Sequence, residues 1–414
     1  MASSTPLGSA WHPGITYDFI LKIGDEDRST DLTKVEIRST VSAPYQHIFL
    51  DVLMDAHDLL LYDMFGQQLI KLSIILKGKV PEDLEQVNFE LMYIDTDTEY
   101  RTGQASDQGD QFERTKVRLK TVCVDAYRTM STMINKIYFN KTPYDIITDL
   151  ASIVGAEIEY DTAGRSSLAI DQLLIPPTTF YNVVNYLDRT YGVFNGPMAF
   201  HTTYDNKIKL QNLNSKPNMA QAITLHLLAT DMNMEPITTS MDPKVFYTTS
   251  PVVSSYKGNA VFSVEAPIIK YIVKPRNVLS NTINVELESF AYTYGIIEKN
   301  NPRIYYNSSA INSSKRIGYE KDQTGYDNDR TFIVANLSQN IADMATTIAT
   351  VSGNLPTLNL MVVGDHVKII SHSADHIKLG GSYILKGSDI QFVKATTWES
   401  MARLYMTRTN VASQ

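Results

Sequence analysis

The residues best suited to metal or acid–base chemistry are few. His372-Ser-Ala-Asp-His376 sets two imidazoles four residues apart, with His366 nearby. On a helix that spacing puts both rings on one face, where they could share a zinc ion. This segment lies between two strand-like stretches and reads as a loop, which removes the geometric reason for the spacing. A structural or solvent-facing role is expected. Cys123 is the single cysteine and sits in the strand-like Val122-Cys-Val124, the setting of a small buried hydrophobe. A catalytic thiol needs electropositive surroundings, and its neighbours do not supply them. Carboxylates gather at Asp95, Asp97, Glu99, Asp107, Asp110 and Glu113, and Asp95-Thr-Asp97-Thr-Glu99 opens like a calcium loop. No glycine follows at the offset a calcium loop requires, so a solvated loop is the expectation. Arg303, Tyr305, Tyr306, Lys315, Arg316 and Tyr319 combine rings and cations as single-stranded nucleic-acid platforms do. Glu298, Glu320, Asp322, Asp327 and Asp329 nearly cancel those cations, which favours a protein contact or an ordinary loop.

Motif grammar for catalysis is missing. The sequence has no Gly-x-Ser-x-Gly elbow, no phosphate-cradling Gly-x4-Gly-Lys-Ser/Thr loop, no Gly-x-Gly-x-x-Gly turn and no His-Glu-x-x-His. No catalytic, metal or cofactor residue is therefore assigned, and no cofactor is expected. The single cysteine excludes an internal disulfide framework and a multi-cysteine metal cluster. With 37 Lys and Arg against 45 Asp and Glu, the net charge is −8, which argues against a protein that grips DNA by its phosphates. No run approaches the roughly 20 apolar residues that span a bilayer. The first residues lack a basic region followed by an apolar core, so no export signal is expected. Sequons at Asn140, Asn307, Asn312 and Asn336 are then expected to stay unmodified.

The elements around these residues are mainly strands. Ile15–Leu21, Ile70–Ile74 and Val87–Leu91 alternate apolar and polar residues, the pattern of half-buried antiparallel sheet. Another strand is expected at Lys116–Val124, with Asp95–Phe112 an exposed loop and a helical turn near Ala56–Leu61. Two helices follow. The first has Thr142 as cap, Pro143 in the first turn, Ile146, Ile147, Leu150 and Val154 on one face, and Gly155 as terminator. The second has Thr178 as cap, Phe180, Val183, Val184, Leu187 and Tyr191 inward, and Gly192 as stop. Glu157–Tyr160 reads as a short strand, Ile175-Pro-Pro177 as extended chain, and Met198–Tyr204 with Lys207–Leu213 as a hairpin turning at Asp205-Asn206. Strands return from Val245, through Ala260–Val264, Ile268–Val273 and Thr282–Phe290. After the polar excursion Glu298–Arg330, a helix is expected with Leu337, Ile341, Met344, Ala345 and Ile348 on one side. Asp365–Ile370, Ser382–Lys386, Ile390–Val393 and Arg403–Arg408 close the chain as strands.

Two passages carry a family resemblance. One is Tyr144-Asp-Ile-Ile-Thr-Asp-Leu150 with Leu174-Ile-Pro-Pro-Thr-Thr-Phe-Tyr-Asn-Val-Val-Asn-Tyr-Leu187 and Tyr191-Gly-Val-Phe194. It resembles the inserted domain of baseplate hub proteins of contractile-tailed bacteriophages. The other runs from Gly353-Asn-Leu-Pro356, Leu358 and Leu360 through Gly364-Asp-His-Val367 and Gly381-Ser-Tyr-Ile-Leu-Lys386 to Leu404-Tyr-Met-Thr-Arg408. This is similar to the final barrel of the same hubs, shared with the hub region of type VI secretion spikes. Together they cover under half the chain, and their order extends the match.

The resemblance implies a mainly β fold with α+β insertions, in which two tube-like antiparallel β-barrel domains each carry an inserted smaller domain. The expected division is residues 1–125 plus 206–244 for the first barrel and 126–205 for its inserted α+β domain. Residues 245–297 plus 351–414 form the second barrel, and 298–350 its insertion with a polar loop and helix. The implied function is structural, not enzymatic. A homotrimer would form a pseudo-six-fold ring joining the six-fold tail tube to the three-fold central spike, leaving a channel for DNA. The implied partners are the spike, the tail tube protein and other baseplate proteins of wedge or tube-initiator type. The implied location is the virion tail baseplate, assembled in the host cytoplasm. The residues alone leave two other classes open: a cell-surface-directed hydrolase using scattered His and carboxylates, or a carbohydrate- or receptor-binding tail protein using exposed tyrosines.

Overall fold

A computed structural model describes residues 15–40, 43–54, 69–77, 84–96, 115–162, 165–167, 169–194, 198–202, 207–212, 223–228, 245–248, 253–255, 270–277, 282–289, 346–352, 355, 361–372 and 380–408. The chain opens with β1 (Thr16–Ile23), β2 (Glu26–Asp27), β3 (Leu32–Thr40), β4 (Ala43–Met54), β5 (Leu69–Lys77), β6 (Leu84–Thr96) and β7 (Thr115–Cys123). A helix-containing stretch follows: α1 (Val124–Ser131), β8 (Met133–Lys141), α2 (Pro143–Val154), β9 (Ile158–Tyr160), β10 (Ile170–Thr179), α3 (Phe180–Tyr191), β11 (Met198–Thr202) and β12 (Ile208–Asn212). Beyond it run β13 (Ile223–Leu227), β14 (Val245–Thr248), β15 (Val253–Ser255), β16 (Lys270–Asn277), β17 (Thr282–Ser289), β18 (Thr346–Ser352), β19 (His366–Ser371), β20 (Gly381–Lys394) and β21 (Trp398–Arg408). The fold is mainly β, as the alternating sequence requires.

Fourteen strands share one sheet, in the order β14-β13-β19-β20-β3-β4-β7-β6-β5-β1-β2, with β21, β18 and β15 branching from the other edge of β20. Most pairs are antiparallel; β13 pairs parallel with both β14 and β19. Alternation places Tyr17, Phe19, Leu21 and Ile23 of β1 and Ile70, Leu72, Ile74 and Leu76 of β5 on the buried face. They join Ile37, Leu50, Leu119, Leu225, Ile390 and Leu404 in one core. Among the described strands no pairing closes this sheet into a barrel.

β20 holds the sheet together. Its first residues pair with β19 and its later ones with β3, while β21 runs along its opposite edge. Strands from both expected barrel units thus lie in one sheet. The sequence reads Ser382–Lys386 and Ile390–Val393 as two strands. The structure makes them one strand of 14 residues. Gly387 sits where the partner changes, and a Cβ there would lie 3.0 Å from the Ser39 carbonyl oxygen. The glycine marks close backbone approach, not a turn.

The second core lies between α2, α3 and the strands around them, from Ile134 to Leu210. Thr142 caps α2 through a reciprocal pair with Asp145, and Gly155 ends it at φ 69°, as expected. The cap of α3 is Thr179, whose hydroxyl accepts from the Asn182 amide; Thr178 instead accepts from the Asn182 side chain. Pro176 and Pro177 lie within extended β10. β11 and β12 form the expected hairpin, and β9 joins it parallel to β12. Two expectations fail locally. Val124–Ser131 is helical, where strand was expected to run on to Val124. Ile348 lies in β18, paired with β15 and β21, because Thr-Thr-Ile-Ala-Thr-Val alternates as a β-branched strand. Leu337, Ile341, Met344 and Ala345, the turn at Ala56–Leu61, the strand at Ala260–Val264 and Glu298–Arg330 lie outside the described residues.

Candidate functional site

His366 starts β19, and burial pushes its imidazole down to about 4. His372 follows β19, where its amide donates to the Leu227 carbonyl oxygen. Its Nε2 lies 2.7 Å from Nδ1 of His226 on the adjacent β13, with the rings stacked at 5.1 Å. His376 lies outside the described residues. The partner of His372 is therefore 146 positions away in sequence, and no local spacing could have announced it. Cys123 is buried, its thiol pushed up to about 12 by burial first and by Asp125 second. It packs as the small hydrophobe its sequence context suggests. Asp95, the second-to-last residue of β6, lies opposite Lys120; Asp97, Glu99, Asp107, Asp110 and Glu113 lie outside the described residues, as do Arg303, Tyr305, Tyr306, Lys315, Arg316 and Tyr319. Among the described residues, no three His, Cys, Asp or Glu side chains gather as a metal site. No described helix is long and apolar enough to cross a membrane.

A charged sheet face across β3, β4 and β7 was not anticipated. Glu36, only 1% exposed, accepts from Lys34 at 3.0 Å, from Arg118 at 2.7 Å and from Arg38. Burial pushes the Glu36 carboxyl up, but the Lys34 hydrogen bond and the Arg118, Lys34 and Arg38 charges outweigh it and hold it below the usual range. Asp51, also buried, pairs with Lys116 at 2.9 Å. The guanidiniums of Arg38 and Arg118 lie 4.8 and 4.6 Å from the centre of the Phe49 ring, a cation–π arrangement. Register explains the cluster. Glu36 lies opposite Phe49, and Phe49 opposite Lys120, so residues far apart in sequence share one face. Buried carboxylates beneath arginine and lysine stems make an ion-pair lattice.

The hairpin of β11 and β12 is held against the large sheet. Phe200 packs on Phe180 and Tyr181 of α3, so alternation turns Ala199 and His201 the other way, toward β4, which β11 adjoins. His201 and Gln46 of β4 are both 2% exposed, and among the described residues neither side chain has a hydrogen-bond partner. Burial first and Lys209 second push His201 down to about 3. On the same face of the hairpin, the Gln211 side-chain amide crowds Gly364, whose φ is +92°. Next to it, Asp365 caps its own turn by accepting from the Val362 amide at 2.8 Å, and burial raises its carboxyl to about 6.

The sequence finds no match among curated proteins. Its overall fold matches the 43 kDa tail protein of prophage MuSo2 from Shewanella oneidensis, at 10% identity and a TM-score of 0.52, over 95% of this chain and 97% of that one. A tail protein from Neisseria meningitidis MC58 matches at 9% identity and a TM-score of 0.53, with the same coverages. The fold is therefore one found in phage tail proteins. Residues 86–200, just over a quarter of the chain, match the family described as bacteriophage PBS1 gene 109 protein. That stretch takes in most of β6 and runs through α3 into β11, including both capped helices.

Proposed function

We propose that this chain is the structural hub of a phage tail baseplate. Three copies form a pseudo-six-fold ring, built from two tube-like barrel units per chain, that joins a six-fold tail tube to a three-fold central spike and leaves a channel for DNA. The units are residues 1–125 plus 206–244 and 245–297 plus 351–414, with 126–205 and 298–350 as their insertions. The observation that carries this reading is the likeness of fold to tail proteins along nearly the whole chain. The joint at β20, which pairs with β19 and β3 in turn, supports two fused units that move as one body. A ring also hides strand edges that would otherwise aggregate. The role is structural: neither the His226–His372 pair nor the Glu36 lattice offers a nucleophile with its base. Light scattering after size exclusion tests the assembly. The 46.5 kDa subunit predicts a trimer of about 140 kDa. A stable dimer overturns the proposal.

A further inference from the structure

The parallel pairing of β13 and β19 brings two imidazoles together. Ile223, Leu225 and Leu227 of β13 and Val367 and Ile369 of β19 turn inward to the large core. Alternation therefore sends His226, Lys368, Ile370 and His372 to the outer face. Register sets Leu227 opposite Ser371, so His372 lies one step further on, diagonal to His226. The Leu227 carbonyl oxygen accepts from the His372 amide and fixes that backbone just past the end of β19. Nδ1 of His226 and Nε2 of His372 then face one another across 2.7 Å.

That arrangement suits a metal ion of a particular class. An imidazole nitrogen is a ligand only when the ring is neutral. Burial first, then the charges of His372 and Lys368, hold His226 below its ordinary range. A neutral imidazole keeps one N–H and one lone pair. With the protons on Nε2 of His226 and Nδ1 of His372, two lone pairs face one point, and neither ring loses a proton. Zinc–nitrogen bonds of about 2.0–2.1 Å at a tetrahedral angle set two ligand nitrogens about 3.3 Å apart. The rings need part by only about 0.6 Å from their 2.7 Å separation, and His372 is exposed. Imidazole suits zinc, nickel and copper, whereas magnesium prefers oxygen.

We propose that His226 and His372 together hold a divalent transition-metal ion of the zinc, nickel and copper kind, as a two-imidazole clasp between β13 and β19 with water in its remaining positions. The ion ties residues 146 positions apart, closing a long loop that a parallel pairing leaves without a hairpin turn. With two protein ligands the ion exchanges, unlike the closed four-ligand site of a structural zinc. The clasp uses the cross-strand partner of His372 in place of the His376 that sequence spacing offers.

The test adds zinc chloride to the full chain, stripped beforehand with a chelator, and reads binding by titration calorimetry. His226→Gln and His372→Gln should each weaken one zinc site by at least about tenfold. The double variant should lose no more than either single one, because a clasp needs both rings. Copper(II) should bind more tightly than zinc, and magnesium should not bind. Zinc should slow hydrogen exchange along β13 and β19 and raise the melting temperature of the parent but not of the variants. Because His372 is exposed, His372→Gln should melt with the parent when metal is absent, and it carries the test if His226→Gln fails to fold. No zinc binding by the folded parent, equal binding by His372→Gln, or losses that add in the double variant overturn the proposal. Loss of the site in His376→Gln but not in His226→Gln overturns it too, because the ion would then follow the sequence spacing.

Discussion

His201 shows what a single residue reveals and costs here. Its ring is buried between β11 and β4, and among the described residues neither nitrogen has a partner, so it is held neutral, at a folded value of about 3 against 6.5 for a free imidazole. Because the folded value is depressed, the unfolded chain binds the extra proton first. The stability that His201 leaves intact at neutral pH is therefore lost as pH falls below 6.5, about 2 kcal/mol by about pH 5. Asp365 acts in the opposite sense. Its raised folded value means that the native state takes a proton first as pH falls through about 6. Leucine at position 201 removes the two unmatched nitrogens while keeping apolar volume. His201→Leu should be at least as stable as the parent near about pH 7.5 and lose about 2 kcal/mol less by about pH 5. Urea midpoints at the two pH values measure it, and equal pH slopes in both proteins would mean that the native ring accepts a proton. None of this was legible in the sequence, where His201 is one histidine in a hairpin strand; only β4, some 150 residues earlier, makes it buried.

Elements were legible where their signals are local. The Thr142–Asp145 box, Pro143 and Gly155 bracket α2, and the structure places its ends there, because capping is decided within one turn of chain. The one-residue shift from Thr178 to Thr179 at α3 arises where two adjacent threonines offer the same chemistry. Elements whose identity depends on distant partners were misread: β20 looked like two strands, and Ile348 looked helical. Gly387 gives the sharpest check on β20. Any side chain there meets the Ser39 carbonyl, 3.0 Å from the new Cβ, and cannot move aside without parting β20 from β3. Gly387→Val should cost about 1–3 kcal/mol by overpacking, and hydrogen exchange should quicken across the β3–β20 pairing while α2 and α3 keep their protection. A variant as stable as the parent, with β3 amides still protected, would show that the strand crosses there without needing glycine.

At the scale of the whole molecule, charge bears on the proposed channel. DNA passing through a ring is retarded by any cluster of cations that holds its phosphates, and such contacts weaken steeply with salt. The chain carries −8 overall, and the cations of the sheet face at Lys34, Arg38, Lys116 and Arg118 are engaged by Glu36 and Asp51. Six further carboxylates, Asp95, Asp97, Glu99, Asp107, Asp110 and Glu113, lie within nineteen consecutive positions, and their charge suits the wall of a DNA path. Reversing all six to lysine adds two charges each and takes the chain from −8 to about +4. If this segment faces the channel, particles carrying the variant should assemble normally but release DNA more slowly. The delay should shrink as salt rises from about 50 to about 200 mM, because counterion release then favours the contacts less. A slowed rate indifferent to salt would point to altered assembly instead of phosphate contact. Release as fast as the parent's at both salt levels would put these carboxylates outside the path of the DNA.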